Sequence, residues 1–78
     1  MRTIATLPHP DMRISIFHMN DKYIVELETG PMKQVFKFFS EEVSGVEEIQ
    51  KVLDEEFLRK AMDRFKEMFL ELKRAKST

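Results

Sequence analysis

The sequence predicts an α+β domain: an antiparallel β-meander of three or four strands, followed by one long or two shorter C-terminal α-helices packed on one face of the sheet. Three observations predict it. Residues 12–39 alternate apolar and polar side chains and are interrupted at Asn20-Asp21 and Gly30-Pro31, the pattern of consecutive hairpins. Residues 57–72, FLRKAMDRFKEMFLEL, change to the helical period. Between these regions lies an acid-rich stretch with helix-start signals.

The first strand is expected at Arg2 to Leu7, where Thr3, Ile4 and Thr6 are β-branched. It stops at Pro8-His9-Pro10, because proline lacks the N–H that a ladder or a helix interior requires. Its short length suits a sheet edge. From Met12 to Met19, one face carries Met12, Ile14, Ile16 and His18, and the other carries Arg13, Ser15, Phe17 and Met19. Asn20-Asp21 follows, two residues that tolerate the positive φ of a two-residue hairpin turn.

That turn sets a register in which opposed residue numbers add to 41. Ile14 then meets Leu27, Ile16 meets Val25 and His18 meets Tyr23, while Arg13 meets Glu28 on the other face. A slip of one residue would put Arg13 and Glu26 on the core side. Gly30-Pro31 punctuates the next boundary, with glycine suited to the first loop position and proline to the negative φ of the second. With those two residues as the loop, opposed numbers add to 61. Val25 then meets Phe36, Tyr23 meets Phe38 and Glu28 meets Lys33. The inner face becomes Met12, Ile14, Ile16, His18, Tyr23, Val25, Leu27, Gln34, Phe36 and Phe38.

The helical part is expected over residues 40–76, within a single domain spanning 1–78. Ser44 and Glu47 have the spacing of a capping box, and Ser40 before Glu41-Glu42 offers a start one turn earlier. Val46, Ile49, Val52 and Leu53 form one apolar face. In the following stretch Phe57, Leu58, Ala61, Met62, Phe65, Met68, Phe69 and Leu72 form a stripe about 140° wide. The centres of the two faces differ by roughly 140° at ideal helix geometry, so one straight helix cannot turn both toward one sheet. Asp54-Glu55-Glu56 supplies an N-cap type and acids for a first turn, which favours a break there. The alternative is one helix of about 30 residues, roughly 45 Å long. Residues 74–78 are expected to fray.

Size and composition limit the functional classes. With 78 residues and no cysteine, the chain has a small core and no disulfide to staple it, so dimerisation would stabilise it. Residues 1–30 show no signal-peptide core, and the chain has no run of about 18 apolar residues. A cytoplasmic protein without membrane association is therefore expected. The net charge of −1 conceals a segregation: residues 40–56 sum to −6 and residues 57–78 to +4. Acids early and bases late complement a helix dipole; alternatively, the two segments face each other within one chain or across a dimer.

Catalytic groups are sparse. His9 and His18, with Asp11 and Asp21, match no metal spacing. His18 is read as a hydrogen-bonded structural histidine beside Tyr23, and His9 as a solvated loop residue. The acids of residues 41–56 lack the ligand order and glycine of a calcium loop, and two glycines in the chain do not make a phosphate-binding loop. No enzyme activity, cofactor or metal is expected. The outer sheet face is more apolar than an exposed antiparallel face usually is. It carries Phe17, Ile24, Val35 and Phe39 with Arg13, Lys33 and Lys37 among them.

Three partners suit these features: a second copy of the chain, a different protein, or single-stranded nucleic acid stacked on the phenylalanines with the bases at its phosphates. A meander followed by a C-terminal helix, as a dimer, resembles the architecture of PUR-repeat single-stranded nucleic-acid binders. That resemblance is of topology, without a residue motif, and residues 1–39 sum to only +1. The reading reached from sequence is a non-catalytic interaction or structural module acting as a homodimer, with nucleic-acid binding as the alternative. The helical stripe is its candidate core or dimer face.

Overall fold

The computed structural model describes residues 2–77. Four strands come first, β1 (Arg2–Leu7), β2 (Arg13–Met19), β3 (Lys22–Thr29) and β4 (Met32–Phe39), followed by the helices α1 (Val46–Val52) and α2 (Glu55–Lys76). The sheet is an antiparallel meander in the order β1-β2-β3-β4.

Both predicted registers are present: β2 pairs with β3 through Arg13–Glu28, Ile16–Val25 and His18–Tyr23, and β3 with β4 through Val25–Phe36 and Glu28–Lys33. Turn chemistry explains why. Asn20 has φ 53° and Gly30 has φ 56°, the positive first position of a two-residue hairpin, and Pro31 takes the second with its fixed negative φ. One further rung continues the β3–β4 ladder beyond the strands, where the Ser40 N–H donates to the Asp21 carbonyl at 2.8 Å. β1 pairs with β2 across a bulge between Thr3 and Ala5.

The helices occupy the inner face as two elements. The Asp54 carboxylate accepts the Phe57 N–H at 2.9 Å, satisfying one of the donors that a helix start leaves unpaired. The break lets both apolar faces reach the sheet. Ile49 and Leu53 join Ala61 and Phe65 in one core with Met12, Ile14, Ile16, Val25, Leu27 and Val43.

The start of α1 differs from expectation. Its N-cap is Gly45, which has no side chain to cap with, and the acid that folds back over the helix start is Glu48 rather than Glu47. The Glu48 carboxylate accepts both the Ser44 N–H at 2.8 Å and the Ser44 hydroxyl at 2.7 Å. Glu48, three residues past Gly45, can fold back over the helix start, whereas Glu47 is one residue short. Ser40 starts no helix: residues 40–42 turn after β4, tied by the Phe39 N–H to the Glu42 carboxylate at 2.9 Å. Nor do residues 74–76 leave the helix, since the Ser77 N–H caps Lys73 and Arg74; Thr78 lies outside the described residues.

α2 runs back along β4, antiparallel to it. Phe57 meets Phe36 edge-on with ring centroids 5.3 Å apart, and farther along Gln34 reaches the middle of the helix. Its Nε2 donates to the Ala61 carbonyl at 3.0 Å, and its Oε1 accepts from Arg64 Nε at 2.9 Å. The Arg64 guanidinium also lies 5.9 Å from the Phe36 ring centroid. This polar clamp on an otherwise apolar face fixes where the helix crosses the strand.

Phe65 is 1% exposed. Phe65→Ala is expected to cost about 3 kcal/mol or more, a large share of the roughly 4–12 kcal/mol held by a chain of this size. Urea unfolding measures it, and a loss under about 1 kcal/mol would contradict the core position.

The hydrogen bonds from Ser44 hold the Glu48 carboxyl below its ordinary pKa. A depressed folded-state value contributes stability that is present above the unfolded pKa and disappears as pH falls through the folded one. Glu48→Gln should therefore flatten part of the acid limb of a stability–pH curve while leaving its neutral slope unchanged. An acid limb identical to wild type would refute the link.

Candidate interaction surfaces

The described residues contain no group of three or more His, Cys, Asp or Glu placed to hold a metal ion. His9 accepts the Asp11 N–H on Nδ1 at 3.1 Å and so shapes the β1–β2 loop. His18 departs from its sequence reading. It is exposed, near the β2–β3 turn, with its ring tilted against Tyr23 at a centroid distance of 4.7 Å, while Tyr23 and Phe38 on the same rung pack against the core.

The outer face carries Phe17, Ile24, Val35, Phe39, Arg13, Lys33 and Lys37 together on three adjacent strands. They are not equally available. Ile24 is only 7% exposed and is flanked across the ladder by Phe17 and Lys37, so it belongs to the packing of this face. Phe17 is half-buried, while Val35 is 48% and Phe39 44% exposed. The bases alternate with acids. Arg13 and Lys33 both oppose Glu28, and Lys33 Nζ lies 3.4 Å from the Glu26 carboxylate. The cross-strand pairs that support the register thus offset the positive charge of this face.

The helical stripe divides into three parts. Ala61 and Phe65 are buried, and Phe57, Leu58, Met62, Met68 and Leu72 are half-buried. Phe69 is 47% exposed, and beside it Leu70, which lies outside the stripe, is 65% exposed. Geometry explains the gradient. Between Phe36 and Met32 the strand covers about 13 Å, whereas Phe57 to Lys76 covers about 28 Å of helix. α2 therefore outruns β4 by about 15 Å, near the β3–β4 turn. The radius of gyration is 13.9 Å, against about 11.5 Å for a compact chain of this length. Leu70 was not legible as a surface feature in the sequence, although an apolar residue on the polar side of an amphipathic helix was the available signal.

A groove of about 380 Å³ runs beside this overrun, lined by Thr29, Met32, Met62, Phe65, Lys66, Phe69 and Leu70. A second groove, of about 450 Å³, shares Met62 and Lys66 with it and continues toward Leu58, Glu55 and Asp11. No helix of the described residues is long and apolar enough to cross a membrane. Comparison with known families, curated proteins and solved structures finds no match to this chain.

Ile24 and Phe39 differ in burial on one face, which gives a direct check. Ile24→Ala should cost about 2–4 kcal/mol and Phe39→Thr less than about 1 kcal/mol, both by urea denaturation. Equal losses would show that Phe39 is packed rather than available.

Proposed function

We propose that the chain is a small non-catalytic protein-interaction or structural module that works as a homodimer in the cytoplasm. The observation that carries this reading is the overrun of α2, which presents Phe69 and Leu70 to solvent beside an apolar groove. A chain this short gains little from its own core, and covering those side chains adds apolar burial that the monomer lacks.

A second reading draws on Phe39, exposed two residues from Lys37 on the same face. Single-stranded nucleic acid would stack there with its phosphates toward the lysines. The Glu26 and Glu28 carboxylates among those bases weigh against it.

Light scattering at micromolar concentration is expected to give twice the 9.3 kDa chain mass; a stable monomer would refute the homodimer. Fluorescent single-stranded oligonucleotides at low salt are expected not to bind. Salt-sensitive binding that is lost in Phe17→Ala with Lys37→Ala would replace the first reading with the second.

A further inference from the structure

We infer that two copies associate through their α2 helices in antiparallel orientation, the basic end of each seated against the acidic start of the other. This deepens the homodimer reading and rests on it.

The two grooves that share Met62 and Lys66 form one trough along a flank of α2. Its character changes along its length. Near the C-terminal end it is apolar, walled by Phe69, Leu70 and Met32; toward the N-terminal end it gains the acids Glu55, Asp11 and Asp63, with Arg59 among them. Glu55 and Lys66 lie at opposite ends of the second groove, about 16 Å apart along the helix, so the trough as a whole spans roughly 22 Å from Glu55 to Leu70. A helix fits a trough of that length.

Charge selects which helix, and in which direction. Acids Glu55 and Glu56 occupy the first turn of α2, and bases Lys73, Arg74 and Lys76 the last. Within one chain the helix holds these ends about 27 Å apart, measured from Glu55 to Lys73, well beyond a Debye length of about 8 Å. The two ends therefore cannot neutralise each other inside the monomer. A second copy laid antiparallel brings each basic end to an acidic start. A parallel copy would bring base to base, which costs association.

Helical phase narrows the contact further. Glu55, Arg59, Met62, Lys66 and Lys73 lie within a narrow sector on one side of α2, with Phe69 and Leu70 on its borders. If opposed residue numbers add to 128, Lys73 meets the Glu55 of the other copy, Leu70 meets its Leu58 and Lys66 its Met62. Lys73 and Glu55 suit this role. Arg74 is held by Glu71 of its own helix at 2.9 Å, and Glu56 by Lys60 at 3.4 Å. The Lys73 ammonium instead lies 6.0 Å from its own Phe69 ring centroid, at the border of the trough.

Complementary charge reversal tests this on the full chain by sedimentation equilibrium. Lys73→Glu alone and Glu55→Lys alone should each weaken self-association roughly tenfold, since each reverses two symmetry-related contacts. An equimolar mixture of the two variants should regain association through heterodimers. Leu70→Asp should give a monomer with an unchanged helical circular-dichroism spectrum, because Leu70 is exposed and its replacement leaves the monomer core intact. A dimeric wild type whose reversed variants gain nothing on mixing, or whose Leu70→Asp variant stays dimeric, overturns the antiparallel seam and leaves the homodimer reading standing. A monomeric wild type at tens of micromolar overturns both.

Discussion

The hydrogen bond from the Phe57 N–H to the Asp54 carboxylate governs how this chain covers its sheet. The apolar residues before and after it face directions roughly 140° apart on a continuous helix, so without a break half of them would point to solvent. Ending α1 at Val52 and restarting at Glu55 lets the chain turn. Ile49 and Leu53 then meet Ala61 and Phe65 over the same strands. One short acidic side chain, acting on an otherwise unpaired N–H, makes a single core available to two helical faces.

The second constraint is polar. Gln34 sits among apolar neighbours on the inner face and uses both ends of its amide, donating to the Ala61 carbonyl and accepting from Arg64. Together with the Phe36–Phe57 ring contact, it aligns α2 with β4 and sets the point at which the helix leaves the sheet. The exposure of Phe69 and Leu70 follows from that alignment. Helix length, which belongs to the sequence, becomes an accessible apolar surface only because the crossing point is fixed.

The strand region was legible nearly in full, because two-residue turns and period-two alternation specify the same register independently. Asn20 and Gly30 supply the positive φ, and Ile14, Ile16, Val25 and Leu27 penalise any slip. The helix starts were less legible. Glu47 and Glu48 are adjacent acids, and which one folds back onto Ser44 depends on where the first helical residue falls, a matter of one position. His18 shared a face with core residues but lies near a hairpin end and is exposed, while its rung neighbours Tyr23 and Phe38 pack on the core. On the outer face, alternation placed Ile24 with Phe39, yet Ile24 is central to the sheet and buried, whereas Phe39 ends an edge strand and is exposed.

By itself, the sequence determined both hairpin registers and the opposite charges at the two ends of α2, and it favoured, without deciding, a break before Glu55. These depend on local backbone preference and on side-chain period, which are properties of neighbouring residues. Only the tertiary structure decided which half of the helical stripe is core and which is surface, that α2 starts anew after α1, that Gln34 clamps the helix, and that two grooves share Met62 and Lys66 on its flank. Those features depend on where one rigid element crosses another, and that position is set by contacts between residues about thirty apart in the chain.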